Sequence, residues 1–278
     1  MMPGTLTLVG TPIGNLGDFS PRARRALEEA DFIAAEDTRV TLRLLNYFGI
    51  KKPLVSYFEH NKYQSGDKIL QRILAGENCA LVTDAGMPAI SDPGEELVAL
   101  CAREGVAVTA VPGPSAVVTA VALSALPAGR FTFEGFLSTS GRSRAEHLEE
   151  LKGERRTMVF YEAPHKIAKT LADLAAALGA GREVSLCREL TKMHEEVIRT
   201  TLGEAAERYA AEPPRGEFVL VVAGAPEPAR PQMDEQAALE LVCRYRAEGL
   251  SLKDAAKKAA AESGFKRNDL YSRALKEE

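Results

Sequence analysis

The apolar run CALVT, residues 79–83, passes directly into DAGMPAISDPG, a loop of acids, glycines and prolines that leads into a helical pattern. A run this short and this apolar reads as a strand of a buried sheet, and the punctuation after it constrains the chain further. Glycine reaches backbone conformations closed to other residues, whereas proline fixes φ and removes a donor. Asp84, Gly86, Pro88, Ser91, Asp92, Pro93 and Gly94 fall within eleven residues, so the loop has a fixed shape. Asp92 and Pro93 suit the N-cap and the first position of the helix that follows. Ligands of open α/β sheets lie beyond the carboxyl ends of the strands. The unit is therefore either a binding loop or a heavily punctuated βα turn.

The same alternation recurs along the chain. Strands are expected near 5–10, 31–36, 53–57, 79–83 and 107–111, with helices near 20–30, 39–48, 65–75 and 94–104 between them, the layout of a mostly parallel sheet. Ser20-Pro21 opens one helix, and Gly49 and Gly76 each follow the end of another. A second round has strands near 131–136, 156–162, 183–188, 194–201 and 217–223, with helices near 115–125, 142–152, 165–178 and 203–211. The run at 194–201 follows its predecessor too closely for a crossover and should lie antiparallel. Gly105 to Gly129 carries no charge and is long enough to span a bilayer, but Pro112-Gly113-Pro114 breaks it into a buried strand, a turn and a helix.

These patterns give an α/β fold of two consecutive domains, 1–115 and 116–226, with a cleft between them. APEPARPQ, residues 225–232, is a proline-rich linker. The tail at 232–278 is helical in pattern and reads as a helix-turn-helix-like unit around Ser263-Gly264, its helices capped by Ser251 and by Asn268 or a neighbour. Across its last part, Leu250 to Lys276, seven Lys or Arg face three Asp or Glu, a net of +4, while the whole chain carries −4. A nucleic-acid or ribosome contact and a solvated face on a small packing unit both fit that asymmetry. Cys79, Cys101, Cys187 and Cys243 show no CxxC spacing, three of them in apolar runs, which suits reduced, packed thiols in a cytoplasmic protein.

Candidates for chemistry lie after predicted strands: Glu36-Asp37-Thr38-Arg39, Glu59-His60-Asn61, Glu162 with His165, and Arg188-Glu189 with Lys192. Each cluster alone suits a salt bridge or cap equally well. Together, at successive strand ends, they suggest a site. The turn TPIGN, residues 11–15, suits either a ligand loop or a plain turn, and without dinucleotide or P-loop spacing it gives little support to a phosphate cradle. The four histidines show no metal-ligand spacing, and no metal is expected. After Phe136, the polar run LSTSGRSRAEHLEELKGERR, with Arg142 and Arg144, suits either a lid that clamps phosphates or a solvated connection.

The blocks GTLTLVGTPIGNLGD, AAEDTR, DAGMPAISDPG, VPGPSA, FEGFL, VFYEAPHK, RELTK and GEFVLVV follow one another over nearly the whole chain. In that order they resemble the ribosomal RNA small subunit methyltransferase I family of the tetrapyrrole methylase superfamily. Thr11-Pro12-Ile13-Gly14, Ser138, Ala163 and Lys166 depart from common forms in those families. The resemblance implies an S-adenosylmethionine-dependent methyltransferase acting on the ribose 2′-hydroxyl of a decoding-centre cytidine in 16S rRNA, a homodimer with its cofactor folded into the cleft. It implies Pro12, Asp84, Gly86, Met87, Pro88, Ile90, Ser115, Ala116, Tyr161 and Leu220 as cofactor residues. His60, whose imidazole can accept a proton when neutral, is the candidate base, alongside Asp37, Glu36, Lys192 and Glu162. Arg39, Arg142, Arg144, Lys257, Lys258, Lys266, Arg267 and Arg273 are candidates for RNA. A tetrapyrrole methylase and a non-catalytic ribosome-binding module are the competing readings.

Overall fold

The computed structural model describes residues 2–212, 214–226 and 233–277, and divides into two compact units, Met1–Ala225 and Pro226–Glu278. Most of the proline-rich linker, residues 227–232, lies outside the described residues.

The larger unit carries two five-stranded sheets. The first is built from β1 (Thr5–Val9), β2 (Phe32–Ala35), β3 (Leu54–Ser56), β4 (Cys79–Val82) and β5 (Ala107–Val111), in the order β3-β2-β4-β1-β5. Every pairing in it is parallel, so all five carboxyl ends emerge on one edge. Helices α1 (Pro21–Glu29), α2 (Thr38–Phe48), α3 (Lys62–Leu74) and α4 (Glu95–Arg103) make the crossovers. Ser20 accepts the Ala23 amide at 3.0 Å with Pro21 behind it, and Gly49 closes α2 in the left-handed conformation at φ 71°. The strands of β2 and β4 are buried on both faces, as parallel strands between helix layers must be.

Two expectations for this half change. The strand of the uncharged stretch, β5, is not buried: it is the sheet's edge, with Ala107 to Ala110 exposed and only Val111 covered. Pro112-Gly113-Pro114 does turn the chain, into α5 (Ala116–Leu123). Among the described residues, no helix is long and apolar enough to cross a membrane. The second change is at Asp92. Helix α4 begins at Glu95 with Gly94 at its cap position, so Asp92 does not cap it.

The second sheet has the order β6-β7-β10-β8-β9, from β6 (Phe131–Phe136), β7 (Thr157–Glu162), β8 (Glu183–Arg188), β9 (Glu196–Thr201) and β10 (Phe218–Val222). Helices α6 (Gly141–Leu151), α7 (Ile167–Leu178) and α8 (Leu202–Ala211) accompany it. As the short connection requires, β9 runs antiparallel to β8. The last strand, β10, inserts antiparallel between β7 and β8, which the βα alternation did not foretell. A bulge in β6 leaves Glu134 without a partner on β7, and Gly135 takes it up at φ 62°. One core, from Met158 and Phe160 to Leu220 and Val222, packs α7 and α8 on one face of this sheet.

The smaller unit is three helices, α9 (Glu235–Ala247), α10 (Leu252–Ser263) and α11 (Arg267–Glu277), around Leu239, Val242, Tyr245, Ala256, Ala259 and Leu270. Ser251 accepts the Asp254 amide at 3.1 Å, and Gly264 ends α10 at φ 81°. Asn268 lies inside α11, and the preceding Lys266 supplies the first carbonyl instead.

Candidate active site

The two glycine-rich turns of the first sheet are laced together at its carboxyl edge. The Thr11 amide donates to the Gly86 carbonyl at 2.9 Å and the Gly86 amide returns a bond to the Thr11 carbonyl at 3.1 Å. Gly86 sits at φ 91°, where a side chain would be strained. Beneath them, Gly10 and Gly113 cross backbone on backbone, and a Cβ on Gly10 would lie 2.6 Å from the Gly113 Cα. Gly14 packs on the turn from the second sheet, where a Cβ would come within 2.5 Å of the Lys192 side chain. Gly135, freed by the bulge in β6, brings that strand against Ser91.

Between these turns and the second sheet lies a cavity of about 630 Å³, within the range of small-ligand sites. Tyr161, Val219 and Cys187 are register partners across β7, β10 and β8, and form one row along its wall. Phe133 and Phe136 hold the Tyr161 ring edge-on at 5.0 and 5.7 Å between centroids. The opposite wall is the loop after β4: Thr83, Asp84, Gly86, Met87, Ile90, Ser91 and Asp92, with Ile13, Glu36, Ser115 and Ala116 beside it.

Five acidic residues, Glu36, Asp84, Asp92, Glu162 and Glu217, are among the lining and no lysine or arginine is, although the Glu162 carboxylate turns to Thr170 on α7 and that of Glu217 meets Lys192 at 2.9 Å. Burial pushes Asp92 up to about 6, the charges of Glu36 and Asp84 adding to it and the Thr83 hydroxyl opposing. Asp84 is also raised, mainly by burial, although its Oδ1 accepts the Asp37 amide at 3.1 Å. The Thr83 hydroxyl donates to Glu36 Oε2 at 2.7 Å. Burial and the Asp92 charge together raise the Tyr161 phenol.

The structure brings Asp84, Gly86, Met87, Ile90, Ser115, Ala116 and Tyr161 to the cavity, with Glu36 and Glu162. Ser115 makes no capping hydrogen bond at the start of α5. Pro12 and Pro88 shape the turns from outside the lining, and Pro88 is buried. Leu220 points to the opposite face of β10, fully buried in the helix-packed core, and its neighbour Val219 faces the cavity. FVLVV is apolar at every position, so its sequence has no phase to reveal this.

The remaining candidates need correction. His60 is exposed on the turn after β3, edge-on to Phe58, and does not line the cavity. Asp37 caps α2 through the Arg39 amide at 2.8 Å and grips the Arg39 guanidinium, which together hold its carboxyl far below the usual range. Lys192 is not a neutral amine: burial would lower it, but Glu189 and Glu217, at 2.8 and 2.9 Å, hold it protonated. Glu162 is fixed by the Ala163 amide at 2.9 Å and the Thr170 hydroxyl at 2.5 Å. Arg144 is not a mobile phosphate clamp. Its guanidinium is buried, donating to Asp173 at 2.7 Å, Thr170 Oγ1 at 2.9 Å and the Ser138 carbonyl at 3.1 Å.

Arg39 and Arg142 project into solvent, each paired with a near neighbour, Asp37 and Glu146. In the helical unit Lys257, Lys258, Lys266, Arg267 and Arg273 are exposed. Lys258 stands over the Tyr245 ring, and Arg273 pairs with Glu235 at 2.6 Å.

Comparison with known proteins identifies the frame. The family model for tetrapyrrole (corrin/porphyrin) methylases matches residues 5–206, and that for the RsmI C-terminal HTH domain matches residues 234–278. A protein of Synechocystis sp. named ribosomal RNA small subunit methyltransferase I is 45% identical, with 98% of each chain covered. The chain belongs to the ribosomal RNA small subunit methyltransferase I family. A protein of the same name from Halalkalibacterium halodurans is 47% identical over 97% of this chain and 94% of its own. One from Thermotoga maritima, 48% identical, is covered to 99% by only 80% of this chain. Among solved structures, a cobalt precorrin-4 methyltransferase covers 79% of the chain at TM-score 0.60 and 19% identity, with 94% of its own chain covered. A Thermus thermophilus uroporphyrin-III C-methyltransferase complexed with S-adenosylhomocysteine has TM-score 0.56 at 20% identity, covering 79% of this chain and 97% of its own. These two likenesses concern the fold.

Proposed function

We propose that this family member is a cytoplasmic enzyme that methylates the ribose 2′-hydroxyl of a decoding-centre cytidine in 16S rRNA, using S-adenosylmethionine. The cofactor supplies a methyl group made electrophilic by the positive sulfonium. The observation that carries the cofactor reading is the charge of the cavity, whose lining gathers Glu36, Asp84 and Asp92 at one wall and includes no lysine or arginine. Such a lining suits a ligand bearing sulfonium and ammonium groups and disfavours a phosphorylated one. Asp84 would face the cationic part and the Gly86 backbone would approach it closely. Ile13, Met87, Ala116, Leu190 and Val219 supply an apolar slot for a planar base.

An in-line transfer depends foremost on alignment, which can supply roughly 7–11 kcal/mol of a barrier. Two rigid loops tied to each other and to the second sheet suit that demand. The exposed bases of the helical unit, with Arg39 and Arg142, are the RNA contacts in this reading, since phosphate contacts position a substrate without reading its sequence. The apolar exposed edge of β5, with Val108, and the exposed Val118 on α5 support the homodimer.

The test is transfer of labelled methyl from S-adenosylmethionine to small ribosomal subunits from a strain lacking the gene, with the modified nucleotide mapped by mass spectrometry. A methyl on the ribose of one cytidine is expected. Transfer to a base, or none to subunits but transfer to a tetrapyrrole, would reject the reading.

A further inference from the structure

We propose that Asp92 is the proton acceptor of this reaction, its carboxylate taking the hydroxyl proton of the acceptor ribose; the inference rests on the methyl-transfer reading above. Asp92 precedes a proline in the manner of a helix cap, yet α4 begins at Glu95 with Gly94 at its cap position. Its side chain lines the cavity instead, on a loop whose backbone is bent to put it there. Ala89 and Ser91 both adopt left-handed conformations, at φ 69° and 60°, although neither is glycine. Gly94 folds back so closely that a Cβ would lie 2.9 Å from the Ala89 amide nitrogen, and its own amide bonds the Asp92 carbonyl at 2.8 Å. Strain of this kind persists only where the surrounding structure enforces it, and it collects at functional sites.

The other acids and bases are engaged elsewhere. Glu162 is tied to Thr170 and the Ala163 amide, Asp84 receives the Asp37 amide, Lys192 holds a proton between Glu189 and Glu217, and the Thr83 hydroxyl that bears on Asp92 donates to Glu36 at 2.7 Å. The groups that bear on Asp92 are Glu36 from the end of β2, Thr83 and Asp84 from the end of β4, and the Tyr161 phenol from β7. No lysine or arginine among the lining residues holds its proton affinity down. A carboxyl pushed up to about 6 is still ionised at neutral pH and is a stronger base than a solvated aspartate. As the methyl carbon forms its bond to the ribose oxygen, its bond to sulfur breaks and that electron pair stays on sulfur. The hydroxyl proton passes to an Asp92 carboxylate oxygen and is later released to water.

The experiment compares full-length wild type with Asp92→Asn and Asp92→Ala, by single-turnover methylation of small subunits across pH, cofactor calorimetry and carboxyl NMR of ¹³C-labelled aspartate. Wild-type rate should rise with pH through about 6 and then level, with one carboxyl titrating in the same range and missing from Asp92→Asn. Asp92→Asn should be slower by roughly 10²–10⁴-fold and lose that step, with cofactor affinity nearly unchanged. Formate should restore part of the rate to Asp92→Ala, which a merely structural role would not allow. The proposal is overturned if Asp92→Asn retains more than about a tenth of the rate, keeps the step, or loses rate only through weaker cofactor binding. Wild type that binds the cofactor but transfers no methyl removes the methyl-transfer reading, and this inference with it.

Discussion

Replacing Arg144 by methionine separates a packing role from an RNA role at one position. The side chain is 11% exposed and its partner Asp173 is 27% exposed, with Lys169 holding the same carboxylate oxygen at 2.8 Å. Methionine keeps much of the volume but removes the donors to Asp173, Thr170 and the Ser138 carbonyl. Breaking a buried pair by deleting one partner costs about 3–5 kcal/mol. Because Lys169 remains and Asp173 is partly wet, the lower end applies, about 3 kcal/mol. For a unit of this size each kcal/mol moves the midpoint by about 2–4 °C, which places the loss near 6–12 °C.

The assay is thermal and urea unfolding beside RNA titration at several salt concentrations. Arg144→Met should unfold early and bind RNA with the wild-type salt slope, whereas the exposed Arg142→Gln should change stability by no more than about 0.5 kcal/mol. The gap between wild type and Arg144→Met should close in acid. Burial raises the Asp173 carboxyl, but Lys169 and Arg144 outweigh it and hold it below its ordinary 3.8. A depressed carboxyl contributes its stability above the unfolded value and loses it as pH falls through the folded one. A midpoint unchanged in Arg144→Met, with the salt slope reduced by about one unit, would refute the packing account and return Arg144 to the phosphates.

Gly10→Ala would drive a methyl into the Gly113 backbone, 2.6 Å from its Cα, and should cost about 1–3 kcal/mol in urea unfolding while weakening cofactor binding in calorimetry. Wild-type stability would mean that the ends of β1 and β5 separate freely. Truncation after Ala225 should leave cofactor affinity intact, because the α/β body is a compact unit and one relative is covered by 80% of this chain. The truncated protein should bind RNA more weakly, its salt slope reduced by up to about one unit for each phosphate no longer neutralised; a full-length slope would exclude the helical unit from direct binding. His60→Ala should lower the single-turnover rate by less than about tenfold, since the residue is exposed outside the cavity, and a deeper loss would mean that RNA brings this turn to the reaction.

The first sheet was legible because several of its boundaries carry their own stop or start. Ser20-Pro21, Gly49 and the apolar 79–82 run act within a few residues of the boundaries they set. The position of β10 was not, since a strand buried on both faces carries no sign of its direction, and FVLVV offers no phase that would turn the resemblance's Leu220 into Val219, the neighbour that lines the cavity. Arg144 sits in a polar run that reads as a lid or a solvated connection, and nothing local marks that its helix turns the side chain onto Asp173 of α7. Asp92 misled most directly: Asp-Pro satisfies every local rule for a helix start, yet α4 begins two residues beyond Pro93 and the carboxyl faces the cavity. Local preference and tertiary demand agree through most of a foldable chain, and a position where they part is a position held by something other than folding. At Asp92 the departure costs a cap, two left-handed non-glycine residues and a desolvated carboxylate, all at one wall of the cavity. Helix stability gains nothing from that arrangement, whereas a base mounted beside a cationic methyl donor requires each part of it.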